Sequence, residues 1–184
     1  QQPRRGAPSA GDLARTPGCR LYALDVTKPE SVASAADAIL RDLGQVDVVV
    51  NNAGYALSCV FESSTPEQIQ RQFDTNVFGL MHVTRAFLPH FRARRAGRFV
   101  NISSIGGLTT TPLASLYHAS KWAVEGFSEA LRYELNPLGI EMKLVEPGRT
   151  QTDFFDRSQE RVPVTPDNDY SPTVERIRAA LSQA

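Results

Sequence analysis

Tyr117 and Lys121 stand four residues apart in Tyr117-His118-Ala119-Ser120-Lys121, so a helix would put them on one face. A free tyrosine, with a pKa of ~10, is a poor proton donor or acceptor near neutrality. An ammonium close by favours the phenolate and brings the hydroxyl towards general acid/base work. The alternative is a surface tyrosine lying along a lysine stem. Chance supplies about 0.08 such pairs in a chain of this composition, and the pair gains force from its company. Asn101-Ile102-Ser103-Ser104 ends an apolar run with two hydroxyls, which either satisfy turn backbone or aim at a substrate oxygen. Asn51-Asn52-Ala53-Gly54 follows another apolar run; its small residues admit a ligand close to the backbone, and the same residues make an ordinary turn. Pro147-Gly148, with Thr152 beyond, follows a third run, where Pro and Gly are also plain strand terminators.

These segments need elements to hold them. Strands are expected over residues 20–25, 46–50, 99–102 and 140–145. The second of these is β-branched and almost wholly apolar, as in strands covered on both faces. A helix is expected from Pro29, with Thr27 and Glu30 as a capping box and Val32, Ala35, Ala36, Ile39, Leu40 and Leu43 as its apolar stripe, ending at Gly44. Thr65 and Gln68 form a second capping box, starting a helix at Pro66 that runs towards Pro89. Further helices are expected over 116–135 and from Ser171, whereas 1–18 reads as loop or frayed helix. Strand–helix alternation of this kind implies an α/β fold, a parallel sheet with helices on both faces. Such sheets bind ligands at the carboxyl ends of their strands, where all the segments above fall.

The length, 184 residues, suits one domain. Lys plus Arg equals Asp plus Glu, 20 against 20, so no basic excess points to nucleic acid. No apolar run reaches 18 residues and residues 1–20 contain no signal-peptide core, so neither a membrane span nor export is indicated. Cys19 and Cys59 have no metal-site spacing and form no disulfide framework; a reduced cytoplasmic setting and no metal are the expectation. His118 is read as a neighbour of Tyr117 that points about 100° away from it on the helix. Trp122 and Phe127 are read as core or subunit contacts, Cys59 as a packed or partly exposed thiol, and Arg92, Arg94, Arg95 and Arg98 as a solvated connection.

Taken together, these segments resemble the short-chain dehydrogenase/reductase family over residues 21–156. Asn51-Asn52-Ala53-Gly54 matches the family's Asn-Asn-Ala-Gly turn, and Asp25 with Val26 matches the acid and neighbour at the adenine end of the cofactor. Asn76 in Thr75-Asn76-Val77-Phe78-Gly79 matches the Asn in the middle of the fourth helix. Ser104 precedes Tyr117 by 13 residues, the family's usual gap, and Lys121 completes Tyr-x-x-x-Lys. Pro147, Gly148 and Thr152 match the segment that holds the nicotinamide amide. The resemblance implies a Rossmann-like doubly wound sheet in three layers and hydride transfer between NAD or NADP and a ketone or secondary alcohol. Tyr117 would exchange a proton with the substrate oxygen and Ser104 would hold it. Lys121 would lower the Tyr117 pKa and bind the nicotinamide ribose, and Asn76 would hold a relaying water. Asn52, Ala53 and Gly54 would line the cofactor. A homodimer or homotetramer is expected from the same resemblance, through the helices from Pro66 and around Tyr117; the substrate side is expected at 153–184, and Leu57, Phe154 and Phe155 suggest an apolar pocket.

The family's opening strand and its Thr-Gly-x-x-x-Gly-x-Gly turn, which cradles the pyrophosphate, have no counterpart here, and its last strand is not evident after Asp156. The expected fold is therefore a single partial domain over 1–184 lacking its first and last strands. Such a sheet misses a central strand, so the 184 residues alone are expected to be unstable, poorly soluble or rearranged. Arg4 and Arg5, near the turn that sets coenzyme choice, can hold a 2′-phosphate and tilt the expectation to NADP. The alternative is a truncated chain without activity, acting as an interaction module.

Overall fold

The computed structural model describes residues 10–148, 158–164 and 168–182. Thr152, Arg4, Arg5, Phe154 and Phe155 lie outside the described residues. The elements are α1 (Ala10–Ala14), α2 (Pro29–Leu43), β1 (Val48–Asn51), β2 (Ala56–Ser58), α3 (Pro66–Phe73), a π-helical turn (Asp74–Phe78), α4 (Gly79–Arg94), β3 (Gly97–Ile102), α5 (Ser115–Leu135), β4 (Ile140–Val145), β5 (Gln159–Arg161) and α6 (Ser171–Ser182). Three parallel strands form the main sheet in the order β1-β3-β4. The α/β architecture with a parallel sheet is as expected.

Register puts Val49, Phe99 and Met142 side by side on one face of this sheet. They pack with Ile140, with Val83, Phe87 and Phe91 of α4, with Leu135 of α5 and with Val32 and Ala36 of α2. Phe91 and Phe99 are fully buried, with ring centroids 4.8 Å apart. On the opposite face Val48 and Val50 remain 46% and 55% exposed. A second small sheet, β2 beside β5, was not legible in the sequence. Glu160 of β5 ties it to α3, accepting from Gln68 at 2.7 Å and pairing with Arg71 at 3.2 Å.

Some sequence expectations need correction. Residues 20–25 form no strand. A strand exists through its ladder, and among the described residues no strand runs alongside this stretch. It is tied instead to the end of α2, with the Tyr22 hydroxyl donating to Asp42 at 3.0 Å. Thr27 does not cap α2: the N-cap is Lys28, and the Thr27 amide and hydroxyl both donate to Asp25 Oδ1, at 3.0 and 2.7 Å. Pro29 still sits in the first turn, and Gly44 closes the helix at φ 71°. The Thr65–Gln68 box is formed in full. The helix it starts does not end at Pro89 but runs on to Arg94. Pro89 and Arg85 are both exposed, so water can take over the hydrogen bond that proline leaves unmade. The arginines after it are not simply solvated. Arg94 pairs with Asp47 at 2.8 Å, Arg95 donates to the Pro137 carbonyl at 2.7 Å, and Arg98 pairs with Glu141 at 3.0 Å. Trp122 is 53% exposed and does not join the core, whereas Cys59 is buried and burial raises its thiol pKa.

Candidate active site

The carboxyl ends of β1, β3 and β4 lie side by side, and each leads into one of the segments singled out by sequence. The β3–β4 register brings Ile102 opposite Val145. Ser103 N then donates to Val145 O at 2.8 Å, and Ile105 N to Pro147 O at 3.0 Å. The Ser104 loop and the Pro147-Gly148 segment are thus stitched together. Beneath them runs a buried polar chain. Asn51 Nδ2 donates to Asn101 Oδ1 at 2.8 Å, and Asn101 Nδ2 donates to Ser128 Oγ of α5 at 2.8 Å. The two asparagines are register partners near the carboxyl ends of adjacent strands, so the Asn51 amide finds its acceptor on Asn101 in a dry environment.

Asn76 sits in the π-helical turn between α3 and α4 and is 2% exposed. Its Oδ1 accepts from Tyr55 N at 3.0 Å, and its Nδ2 donates to Tyr55 O at 2.9 Å and Ser120 Oγ at 3.0 Å. One turn earlier, fully buried Gln72 accepts from Leu57 N at 2.7 Å and donates to Tyr55 O at 2.8 Å. The two amides together grip the chain that leaves Gly54. A side chain at Gly54 would bring a Cβ to 3.2 Å from Asn76 Oδ1 and 3.8 Å from Lys121 Nζ. The absence of that side chain keeps the strip between turn and lysine open. Single-turn π-bulges of this type occur frequently at functional sites.

α5 presents the rest. Tyr117 is half-buried and Lys121 is 6% exposed. Lys121 Nζ lies 5.9 Å from the Tyr117 ring centroid and donates to Ile102 O at 2.9 Å. Burial raises the Tyr117 pKa, and the hydrogen bond with the Ser104 hydroxyl acts against it. The expected lowering by Lys121 therefore does not show: the ammonium is directed to the Ile102 carbonyl, and desolvation of the phenol dominates. Burial also lowers the Lys121 pKa to about 8, with Glu125 acting in the opposite sense. Ser104 Oγ in addition accepts from Gly106 N at 3.0 Å, which fixes its position at the head of the loop. His118, next to Tyr117, is buried and structural: its Nε2 accepts from Thr111 N at 2.8 Å, so its Nδ1 donates to Gly106 O at 2.8 Å.

Among the predicted site residues, Asn76, Ser104, Tyr117, Lys121 and Gly54 thus come together, with Asn52 and Ala53 exposed beside Gly54 and with Pro147 and Gly148 alongside. Val26 packs against Gly79, where a Cβ would meet its Cγ2 at 2.8 Å, which places it three residues along the chain from Asn76. Asp25 is exposed, and its carboxyl pKa is lowered, chiefly by the Thr27 hydroxyl. Sequence reasoning missed Gln72, Ser120, Glu125 and Ser128. The signal that could have found the two serines is their spacing with Val124 along one face of α5, all three buried. Among the described residues no group of His, Cys, Asp or Glu could hold a metal ion, and no helix is long and apolar enough to cross a membrane.

The family model for short chain dehydrogenases matches residues 9–163. The chain belongs to the short-chain dehydrogenase family. An uncharacterized oxidoreductase of Schizosaccharomyces pombe is 42% identical over 142 residues, 77% of this chain and 60% of the relative. The 3-ketodihydrosphingosine reductase of Bacteroides thetaiotaomicron is 43% identical over 137 residues, 74% of this chain and 51% of the relative. The chain thus spans between half and two thirds of the length of these curated relatives. A crystal structure of a short-chain dehydrogenase from Streptomyces avermitilis superposes with a TM-score of 0.80 at 35% identity, covering 94% of this chain and 68% of that one. ElxO with NADP bound gives 0.67 at 35% identity, covering 69% and 52%. A 3-ketoacyl-(acyl-carrier-protein) reductase from Brucella melitensis complexed with NADH gives 0.70 at 32% identity, covering 73% and 57%. Two of these solved neighbours thus carry a nicotinamide cofactor, NADP in one and NADH in the other.

Proposed function

We propose that this short-chain dehydrogenase reduces a ketone, or oxidises the matching secondary alcohol, with a nicotinamide dinucleotide. One observation carries the reading: the Ser104 hydroxyl is hydrogen-bonded to Tyr117, while Lys121 Nζ, 5.9 Å from the same ring, stands between Tyr117 and the Asn76–Gly54 strip. Gly54, whose side chain would close that strip, supports a cofactor lying there. Asp25, Val26, Asn52, Ala53, Gly54, Pro147, Gly148 and Thr152 are the residues assigned to hold it. When bound, the nicotinamide supplies or accepts the hydride. The chain's own groups do the rest. The Tyr117 hydroxyl gives a proton to the substrate oxygen, or takes it back, and the Ser104 hydroxyl holds that oxygen as negative charge grows on it. The buried Lys121 Nζ, 5.9 Å from the Tyr117 ring, is assigned to hold the nicotinamide ribose. Asn76 holds Tyr55 and Ser120 in place with both amide hydrogens, and the second lone pair of its Oδ1 is the group left for a relaying water.

The 3-ketodihydrosphingosine reductase relative supports a ketone on an apolar chain as the substrate class. NADP and NAD are both compatible with the neighbours' contents, and NADP is the first to try. Exposed Trp122 and Tyr133 on α5 support an assembly of like subunits through that helix. The test is titration of the chain with NADPH and NADH followed by nicotinamide fluorescence, then turnover of simple ketones. Tyr117→Phe should abolish turnover and leave the titration largely unchanged. A second reading, a chain that keeps the site but turns nothing over and binds a partner, is favoured by the exposed apolar face at Val48 and Val50. Absence of saturable binding by a folded sample would replace the first reading with the second.

A further inference from the structure

Val26 meets α4 through its side chain and its main chain at once. Its Cγ2 fills the space over Gly79, where a Cβ would meet it at 2.8 Å. Its carbonyl oxygen lies 3.2 Å from Nδ1 of His82. A carbonyl can only accept, so Nδ1 carries the hydrogen and donates it. On its other side the turn is held by α2, with Asp25 N donating to Ser31 Oγ at 3.0 Å. Within the turn, Lys28 N donates to Asp25 O at 3.1 Å and Thr27 N to Asp25 Oδ1 at 3.0 Å. Asp25 and Thr27 stay exposed while the backbone between them is pinned to two helices. Asn76, Gly79 and His82 follow one another at three-residue spacing along one continuous helical run. Roughly 9 Å of helix axis separates Asn76 from His82. Asn76 grips the chain that leaves Gly54, and His82 grips the chain at Val26. One helical run therefore sets the spacing of two segments from different parts of the sequence.

We propose that His82 is a positioning residue for the adenine end of the dinucleotide: with Gly79 it seats Val26 on α4 and so holds the Asp25–Val26 turn at a fixed distance from the Asn76–Gly54 strip. The proposal rests on the reading of Asp25 and Val26 as residues that hold the cofactor. The physical reason is preorganisation. A turn already ordered in the free chain loses little further conformational entropy when a ligand closes on it. Removing one uncharged hydrogen bond lowers the population of the ordered turn by a factor of about five. Leucine at position 82 keeps much of the bulk of the ring and offers no donor. Asparagine carries its amide nitrogen two bonds from Cβ, as histidine carries Nδ1, and so keeps the donor.

The test compares the parent chain with His82→Leu and His82→Asn by amide-resolved NMR, which reads both hydrogen exchange and weak binding. In His82→Leu the Thr27 and Lys28 amides should exchange about fivefold faster than in the parent, and in His82→Asn within about twofold of it. The binding probes are adenosine monophosphate for the adenine end and nicotinamide mononucleotide for the other. His82→Leu should bind adenosine monophosphate about fivefold more weakly and nicotinamide mononucleotide as the parent does. His82→Asn should bind both as the parent does. Where His82→Leu does not fold, Gly79→Ala decides: its Cβ displaces Val26, so adenosine monophosphate alone should weaken. Parent affinity for adenosine monophosphate in His82→Leu or Gly79→Ala overturns the proposal. Equal weakening of both probes also overturns it, since that marks a general loosening. A parent chain that binds nicotinamide mononucleotide and not adenosine monophosphate overturns the proposal and leaves the functional reading standing. One that binds neither refutes both.

Discussion

Replacing Asn101 with alanine tests whether the buried polar chain beneath the loops holds the site together. Asn101 is fully buried and satisfied at both ends, by Asn51 Nδ2 at 2.8 Å and Ser128 Oγ at 2.8 Å. Alanine removes both bonds. Asn51 Nδ2 is left with a single long contact, 3.3 Å to Thr84 Oγ1, and a poorly satisfied buried donor costs about 1–2 kcal/mol. Losing the bond to Ser128 adds about 1 kcal/mol. The missing amide leaves a small cavity, worth about another 1 kcal/mol. The sum, about 3–4 kcal/mol, is a large part of the ~5–15 kcal/mol that holds a typical domain together. Urea unfolding followed by far-UV circular dichroism measures it. Ser128→Ala alone should cost about 1 kcal/mol, and in the Asn101→Ala background less than about 0.5 kcal/mol, because its partner is already gone. A loss below about 1 kcal/mol for Asn101→Ala, or strict additivity of the two changes, would show that the chain of amides contributes nothing as a network.

Gly54→Ala should lower stability by about 1–2 kcal/mol and weaken nicotinamide binding, because its Cβ meets Asn76 Oδ1 at 3.2 Å and three hydrogen bonds prevent Asn76 from yielding; equal stability and affinity would refute the close approach. Lys121 has a folded pKa of about 8 against an ordinary 10.5, so the unfolded chain binds more protons between those values and stability should rise with pH there, by up to about 3 kcal/mol. The slope should be read from pH 8 to 10 by urea unfolding, since the raised Tyr117 pKa acts in the opposite direction above that, and Lys121→Met should remove it. Thr65→Ala should cost about 1 kcal/mol by opening the capping box at the start of α3, measured by the same unfolding assay.

Much of the fold was legible because local chemistry decides it. β4 falls on the expected residues, α5 begins one residue earlier than expected, and the Thr65–Gln68 box forms as the spacing implies. The failures share a cause. The apolar run over 20–25 resembles a strand, yet a strand needs a neighbour, and which neighbour is present is a tertiary matter. Thr27 has the right type and spacing for a cap, but the Asp25 carboxylate competes for its hydroxyl and amide. Of the candidate site, Tyr117, Lys121, Ser104 and Gly54 stood out by type and spacing, and Asn76 through the family resemblance alone. Gln72, Ser120, Glu125 and Ser128 did not, because a polar residue on a helix reads as solvated until packing buries it.

The sequence by itself determined which residues could do chemistry and that strand ends would present them, since hydrophobic period, capping and turn residues are properties of neighbours along the chain. Only the tertiary structure decided the electrical setting of that chemistry. Spacing places Tyr117 and Lys121 on one helical face, but the direction of each pKa depends on what surrounds them in space. The Ile102 carbonyl accepts from the ammonium, the Ser104 hydroxyl meets the phenol, and burial desolvates both groups. Desolvation and field are sums over atoms far apart in sequence.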